Sequence, residues 1–393
     1  MQTRRNPIGA EDLAAAAHVQ AVRALTNLPD EVDAQVRALA VEEQPVSDAL
    51  LRALWIALEG NTRVAATAWP VIESRHGFAP SDLTMAAGDA GDVLLPRFFD
   101  ILPPKATALV DVVRSAEYGG TRYLHANRVA LDCGLQLIAA QKPVQGEIAG
   151  WHQLLLDERV GLIVDLTRYQ ERENHATYAP EQQGACVAAR GRQRLVCCTA
   201  RMRLHDLKAV RQQLSIDDGA QVLRLQRLRF PGWPDHGVIT VTDLIALADT
   251  IEVLSTDPHR PILLHCLAGV GRTGTLMSFL AARRRLVQAG RPGRAASAEQ
   301  VIRIVLDTIA RGRLARGSSF VQMEEQFFLL VRALLHGRDG KAERRQSDAG
   351  PGFADGATAL PDARRPMAVN KGASIAEIRP GLWQRVRGWL GLR

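Results

Sequence analysis

The sequence predicts an α/β domain that follows a helical region and precedes a disordered tail. Short apolar runs at 162–164 and 261–264 have the length and composition of buried strands. Residues 221–230 alternate apolar and polar side chains, as a half-buried strand does. Helical spacing of apolar residues then recurs at 241–254, 275–287, 297–310 and 322–335. We therefore place the α/β domain at residues 96–337, the helical region at 1–95 and the tail at 338–393.

The helical region is rich in Ala and Leu at helical spacing over residues 10–77. Pro29 and Pro45 divide it into short helices, because proline interrupts the hydrogen-bond pattern of a helix. Gly, Asp, Ser and Ala then dominate residues 80–92, a composition that is typical of a linker.

The tail is charged and rich in Gly, Pro and Ala up to residue 371, and it has few large apolar residues, which predicts disorder. The last stretch differs, because apolar side chains fall on one helical face with arginines nearby. One interpretation is a helix in weak contact with a membrane surface; the other is a helix that docks on protein. Three glycines weaken any helix here. The apolar face comprises Leu382, Trp383, Val386, Trp389 and Leu390.

The net charge of +7 comes almost wholly from arginine, since the 393 residues include only five lysines. A GC-rich genome explains this bias. A second explanation is that few lysines leave few sites for ubiquitin, which suits a protein that works inside a eukaryotic host. A basic protein attracts anionic partners, and phosphorylated substrates qualify. No nucleic-acid-binding motif accompanies the charge, so we expect no nucleic-acid partner.

Neither a membrane span nor a cleaved secretory signal is indicated. No run of ~20 apolar residues occurs, and residues 1–10 are polar. We therefore expect a protein that is cytoplasmic in the producing cell.

The five cysteines predict a reducing compartment. Their number is odd, and no pair has the spacing of a metal site or of a disulfide framework. Cys197 and Cys198 lie in an apolar run, so we expect both to be buried in a strand. We expect no metal and no cofactor. The five are Cys133, Cys186, Cys197, Cys198 and Cys266.

The most informative segment is residues 266–272, hereafter the cradle. An apolar strand leads into it and an amphipathic helix leaves it, so successive backbone N–H groups point at one spot near a helix N-terminus. Arg272 supplies a planar fork that matches two phosphate oxygens. Cys266 in this setting should have a depressed pKa and act as a nucleophilic thiolate. An inert buried cysteine would not explain the glycines and the arginine at these offsets. The loop residues expected to bind phosphate are Leu267, Ala268, Gly269, Val270 and Gly271.

A proton donor for the leaving oxygen is expected in residues 233–237, hereafter the Asp235 loop. Pro234 and Gly237 favour a turn, and Trp233 would anchor a loop that closes over substrate. Asp235 would protonate the leaving oxygen and then take a proton from the attacking water.

Together, the cradle (with His265 before it) and the Asp235 loop resemble those of the tyrosine-specific protein tyrosine phosphatases, over about residues 100–335. Three further segments agree in order. Tyr123 resembles the family tyrosine that stacks on the substrate ring, and Glu171 resembles the glutamate that pairs with the signature arginine. Residues 322–326, hereafter the glutamine segment, resemble the loop that positions the hydrolytic water.

This resemblance implies a twisted mixed central sheet flanked by helices, and a role for each matched residue. Cys266 attacks phosphorus, and Arg272 orients the phosphate. Thr273 helps the thiolate to leave, and His265 tunes Cys266 from behind. Two glutamines, Gln322 and Gln326, place the water. The implied partners are tyrosine-phosphorylated proteins.

The sequence departs from the animal pattern after Tyr123, where residues 124–129 lack the acidic residue that anchors the substrate backbone. The sequence of residues 124–129 is similar to that of tyrosine phosphatases that bacterial pathogens inject into host cells. Such an effector would use residues 1–95 for export and for contacts with a secretion chaperone.

Other functions remain open. A phosphoinositide phosphatase is expected to carry lysine inside the cradle, a phytase-like enzyme to continue Arg-Thr-Thr, and a dual-specificity enzyme to have serine where Gly271 stands. A catalytically dead phosphotyrosine-binding module would lack Cys266 or Asp235, and both are present.

Overall fold

A computed structural model of the chain gives the placement of most of the α/β domain and of the helices before it. It describes residues 10–40, 45–68, 98, 101, 104–109, 114–115, 120–121, 124–144, 147–168, 177–189, 194–290 and 295–347. The predicted linker at 80–92 and the apolar face after residue 381 lie outside the described residues, as do Tyr123 and Glu171.

The centre of the molecule is a mixed sheet of eight strands, which confirms the predicted fold class. Its order is β3-β4-β10-β5-β9-β8-β7-β6. The four middle strands β4, β10, β5 and β9 are parallel, and the remaining neighbours are antiparallel. A separate pair is formed by β1 and β2. The strands are β1 (Arg114–Ser115), β2 (Gly120–Thr121), β3 (Ala126–Arg128), β4 (Leu137–Gln141), β5 (Leu162–Asp165), β6 (Cys186–Ala189), β7 (Arg194–Leu204), β8 (Ala209–Asp217), β9 (Val222–Arg229) and β10 (Ile262–Cys266).

Helices cover both faces of this sheet. The helical segments predicted at 241–254, 275–287, 297–310 and 322–335 are present, as are helices in the described part of residues 10–77. Ser297 caps its helix in a reciprocal pair with Gln300. Within the described residues the helices are α1 (Ala10–Leu25), α2 (Asp30–Ala38), α3 (Asp48–Ala68), α4 (Ile148–Asp157), α5 (Val241–Leu254), α6 (Gly271–Ala289), α7 (Ala298–Arg316) and α8 (Glu324–Ser347).

The alternation of side chains along β10 determines which residues share the Cys266 face of the sheet and which lie on the opposite face. Successive side chains of a strand point to opposite faces of the sheet. Leu264 and Cys266 belong to the core beneath α5–α8, whereas Leu263 belongs to the core beneath α4. His265 therefore points away from Cys266, toward Trp151 of α4, whose ring lies 5.6 Å from the imidazole.

The N-terminal helices pack on the α/β domain. Val22 and Leu25 of α1 contact Ala310 and Leu314 of α7, and Leu54 of α3 is part of the main core. Their ends agree with the two prolines, since α2 begins directly after Pro29 and α3 begins after Pro45. No helix in the described ranges combines the length and the hydrophobicity that a bilayer crossing requires.

Two cysteines form a disulfide bond, so the prediction from their spacing is wrong. Cys186 on β6 lies opposite Cys197 on β7, with a Cα–Cα distance of 4.1 Å, and their sulfurs are bonded. The register of the two strands brings them together, and spacing does not reveal a register. Cys198 is buried as predicted, whereas Cys197 is partly exposed. The inference of a reducing compartment from unpaired cysteines therefore loses its basis.

Candidate active site

The cradle joins the carboxyl end of β10 to the first turn of α6. Cys266 is the last residue of β10, and α6 begins at Gly271. Gly269 has a positive φ of 76°, a conformation that glycine adopts without a Cβ clash. A Cβ there would lie 2.1 Å from the carbonyl oxygen of Ala140 on β4. The loop is thus pressed against the neighbouring strand.

Arg316, at the end of α7, fixes the cradle from outside. Its side chain is fully buried. Its Nε donates to the carbonyl oxygen of Gly269 at 3.1 Å, and its Nη2 donates to that of Ala268 at 3.2 Å. Its Nη1 donates to Asn127 Oδ1 of β3 at 2.5 Å. Because the carbonyls are held outward, the amides of the same peptides face the centre of the loop.

The environment of Cys266 favours a thiolate. Burial raises the pKa of this thiol, but the charge of Arg272, the side chain of Thr273 and the amides of Thr273 and Gly269 lower it, and the pKa falls below its ordinary value. The amide of Gly269 donates to Sγ at 3.2 Å. The Thr273 side chain, which lowers this pKa, is fully buried.

Arg272 is buried and lies between three elements. Its Nη1 donates to the carbonyl oxygen of Leu166 after β5 at 3.2 Å and to that of Trp233 at 3.3 Å. Its Nη2 donates to Asp235 Oδ1 at 2.8 Å. Two backbone carbonyls and one carboxylate therefore fix the position of the guanidinium, a planar group of the kind that binds phosphate through two parallel hydrogen bonds.

In the Asp235 loop the tryptophan is buried and the carboxylate is exposed to solvent. Trp233 is fully buried, and its Nε1 donates to the carbonyl oxygen of Gly237 at 3.0 Å. This bond closes the turn that Pro234 and Gly237 predict. The side chain of Asp235 is 46% exposed, so it faces the solvent-accessible side of the cradle.

The glutamine segment lies against the start of α6. Gln322 Oε1 and Gln326 Nε2 lie 3.1 and 3.3 Å from the point where a Cβ on Gly271 would stand. Gln326 Oε1 accepts from the backbone amide of Gln322 at 3.1 Å, and Gln326 Nε2 donates to the carbonyl oxygen of Gly237 at 3.3 Å. Both side-chain amides therefore border the cradle, and one of them also touches the Asp235 loop.

His265 is held in a buried network behind Cys266. Burial lowers the pKa of His265 to about 4, so the imidazole is neutral near pH 7. Its Nδ1 lies 3.3 Å from the carbonyl oxygen of Cys266, which can only accept, so Nδ1 carries the proton. Its Nε2 then accepts from the hydroxyl of Tyr178 at 2.7 Å. Arg227 stacks on the Tyr178 ring and pairs with Asp165 at 2.5 Å.

The structure brings together all the predicted site residues that it describes. Cys266, Arg272, Asp235 and the glutamines surround one space, and His265 lies behind it. Predicted Tyr123 and Glu171 lie outside the described residues, so their placement stays a prediction. Arg316, Tyr178 and Arg227 were missed, because each is an isolated residue in an ordinary helix, loop or strand sequence. Groups of His, Cys, Asp and Glu that could hold a metal are absent from the described ranges.

Comparison with known sequences agrees with this arrangement. A family model described as protein-tyrosine phosphatase matches residues 97–336. Tyrosine-protein phosphatase non-receptor type 7 of Mus musculus is 28% identical over 261 residues, which are 65% of this chain and 66% of that protein. Phosphatidylinositol phosphatase PTPRQ of Rattus norvegicus is 26% identical over 46% of this chain and 8% of its own length. The chain thus spans less than two thirds of the length of these relatives.

Solved structures agree in fold. The catalytic domain of human protein tyrosine phosphatase non-receptor type 18 superposes with a TM-score of 0.58 at 21% identity, covering 73% of this chain and 97% of that one. PTPN18 in complex with HER2-pY1196 phosphopeptides gives a TM-score of 0.61 at 20% identity, with 80% and 99% coverage.

Proposed function

The chain belongs to the protein-tyrosine phosphatase family, and from this premise we propose that it hydrolyses phosphotyrosine in proteins through a cysteinyl-phosphate intermediate. One observation carries the proposal. The buried thiol of Cys266, with its lowered pKa, lies in a loop of inward-facing amides, and Arg272 beside it bonds directly to Asp235. Nucleophile, anion-binding cation and proton donor thus occur in one space.

In the first step the thiolate displaces the tyrosine. Sγ of Cys266 forms a bond to phosphorus, and the bond from phosphorus to the phenolic oxygen breaks. Asp235 gives its proton to that oxygen, so tyrosine leaves neutral. Arg272 and the cradle amides balance the phosphate charge, which is the larger part of the stabilisation expected in such a site. Thr273 supports the sulfur by its nearby hydroxyl.

In the second step water releases the phosphate. The water oxygen bonds to phosphorus, the S–P bond breaks with its electrons returning to Cys266, and Asp235, now a carboxylate, takes the water proton. Gln322 and Gln326 border the cradle beside Gly271, and we assign them the orientation of this water on family resemblance. We place Tyr123 against the substrate ring and Glu171 against Arg272 on family resemblance.

A tyrosine-phosphorylated peptide is the substrate class with the most support. PTPN18, similar in fold, has been captured with phosphopeptides. The cradle side chains between Cys266 and Arg272 are uncharged, which disfavours polyphosphorylated inositols. One relative is nevertheless named a phosphatidylinositol phosphatase. Lipid and dual-specificity substrates are therefore the alternatives to be compared with phosphotyrosine.

We also propose that the protein is a bacterial effector that acts on host proteins. The scarcity of lysine and the likeness of residues 124–129 to injected phosphatases support this. Residues 1–95 would then carry the export signal and bind a secretion chaperone in the cytoplasm of the producing cell, and the C-terminal segment would touch a membrane surface weakly. A secretion assay with residues 1–95 fused to a reporter tests the idea, which fails if the fusion stays in the bacterium.

The enzyme proposal is tested with the full chain, its Cys266→Ser variant and a matched Cys133→Ala variant. Each is assayed on a phosphotyrosine peptide, a phosphoserine peptide, phosphatidylinositol phosphates and inositol hexakisphosphate. We expect wild type and Cys133→Ala to hydrolyse phosphotyrosine fastest, and Cys266→Ser to be inactive. Inert wild type, or an active Cys266→Ser, would remove the proposal. Faster hydrolysis of a lipid or phosphoserine would favour the alternative.

A further inference from the structure

Arg313 of α7 is a buried arginine that joins the N-terminal helices to the glutamine segment. On one side its Nη1 lies 2.5 Å from Thr62 Oγ1 and its Nη2 lies 2.5 Å from Glu59 Oε1, both on α3. On the other side its Nε donates to the carbonyl oxygen of Phe320 at 3.3 Å, and Nη2 donates to that of Val321 at 3.4 Å. One guanidinium therefore ties α3 to the two residues that precede Gln322.

On the α3 side, a carboxylate and an aromatic ring surround the buried positive charge of Arg313. Arg313 is fully buried, and Glu59 provides its carboxylate partner. Its Cζ lies 5.4 Å from the centroid of the Trp55 ring, within the range of a cation–π contact. Trp55 in turn packs on Phe327 of α8, with ring centroids 5.8 Å apart. Removing one partner would leave a buried cation poorly paired, which costs more than the contact contributes.

The loop side holds an unfavourable backbone conformation. Val321 has a φ of 59°, where the branched Cβ of valine clashes with its own backbone. Such a conformation persists only when the surroundings fix it. The two bonds from Arg313 flank this residue, and the amide of Val321 donates to the carbonyl oxygen of Val270 in the cradle at 3.3 Å. Gln322 follows directly, so its direction depends on how Val321 is held.

We propose that α3, acting through Arg313, positions Gln322 for the water-dependent second step of the reaction. Arg313, Glu59 and Thr62 are positioning residues in this account, since none borders the cradle. The proposal rests on the proposed phosphatase activity. Trp55, Glu59 and Thr62 lie before residue 97, where the family match begins, so the N-terminal helices supply a part of the catalytic unit that the matched domain does not contain.

The two chemical steps should respond differently to this contact. Formation of the cysteinyl-phosphate uses Cys266, Arg272 and Asp235, whereas its hydrolysis also needs an oriented water. Loosening Gln322 should therefore slow the second step alone. When hydrolysis limits turnover, kcat falls and kcat/KM, which reports the first step, does not change. A loss of overall folding would instead reduce both in proportion.

Added alcohol gives a second readout. An alcohol can replace water, in which case its oxygen bonds to phosphorus, the S–P bond breaks, and its proton goes to Asp235. An alcohol does not depend on the glutamines as water does, so its share of the released phosphoryl group should rise when Gln322 is loosened.

The test compares full-length Thr62→Val, Glu59→Gln and Arg313→Lys with wild type on a phosphotyrosine peptide, with and without glycerol. Asp48→Asn is the matched control, because Asp48 joins α3 to Arg332 of α8 on the surface at 2.6 Å without touching residues 320–322. We expect roughly a tenfold fall in kcat for Arg313→Lys and smaller falls for the two α3 variants. In all three variants kcat/KM should stay unchanged. The burst of released tyrosine peptide and the share of phosphate released as glycerol phosphate should both increase.

The positioning role would be overturned if the three variants released the same share of glycerol phosphate as wild type does. It would also be overturned if kcat and kcat/KM fell in parallel. Because Thr62→Val and Glu59→Gln are nearly isosteric, they keep the test decisive if Arg313→Lys does not fold. Inactive wild type is a different outcome, which removes the proposed function itself.

Discussion

The guanidinium of Arg272 bonds directly to the carboxylate of Asp235, with 2.8 Å between Nη2 and Oδ1. The two residues are 37 positions apart, and the bond holds the Asp235 loop over the cradle. The Asp235 side chain is 46% exposed whereas Arg272 is buried, so solvent reaches and screens the carboxylate end of the pair. In the proposed mechanism, an incoming phosphate dianion competes with Asp235 for Arg272, which frees the carboxyl group to meet the leaving oxygen.

Asp235→Ala should separate catalysis from anion binding. Loss of a general acid costs roughly 10²–10⁴-fold in kcat, whereas removal of the competing carboxylate leaves Arg272 free to bind phosphate at least as tightly as before. Steady-state kinetics and inhibition by inorganic phosphate measure the two effects. His236→Ala is the control, because this exposed neighbour lies 3.9 Å from the same carboxylate. Equal losses of kcat and of phosphate affinity would contradict the account.

Cys266 and Cys133 should differ in the pH at which they react. Arg272 and the cradle amides bring the pKa of Cys266 below its usual value despite burial, whereas burial raises that of Cys133. The thiolate form of each grows as the pH rises through its pKa. Alkylation by iodoacetamide, followed residue by residue by mass spectrometry, should reach half its maximal rate at lower pH for Cys266, and inorganic phosphate should slow it there only. Coincident pH profiles would disprove the thiolate assignment.

Two glycines of the cradle should respond unequally to alanine. At Gly269 a Cβ would overlap the Ala140 carbonyl, and the positive φ is strained for alanine, so we expect roughly 1–3 kcal/mol lower stability and loss of phosphate binding. At Gly271 the Cβ would meet the flexible side chains of Gln322 and Gln326 at 3.1 and 3.3 Å. Gly271→Ala should fold and lower kcat more than kcat/KM. Urea unfolding and steady-state kinetics compare them, and the reverse order of damage would argue against this geometry.

The parts of the site that the sequence predicts are those that lie close together along the chain. Cys266, the loop glycines and Arg272 form one segment, and its chemistry can be inferred from residue types at fixed offsets. Strand and helix periodicity likewise predicts the α/β class, because burial on one face of an element imposes a period on the sequence.

The parts that escaped prediction depend on register and on distant pairing. Arg316 reaches Gly269 across 47 residues, and Tyr178 reaches His265 across 87. Each is an ordinary residue in its own segment, and only the packed sheet and helices bring it to the cradle. The Cys186–Cys197 bond escaped for the same reason, since the pairing of β6 with β7 decides which side chains are opposite.

The most direct test of the central claim is to trap the covalent intermediate. Wild type and Asp235→Ala are mixed with a ³²P-labelled phosphotyrosine peptide, quenched with acid within milliseconds, digested, and mapped by mass spectrometry. We predict that phosphate is attached to the peptide that contains Cys266, that it disappears on longer incubation of the wild type, and that Cys266→Ser does not acquire it. Hydrolysis of the substrate with no label on Cys266, or with label on another residue, would contradict the account.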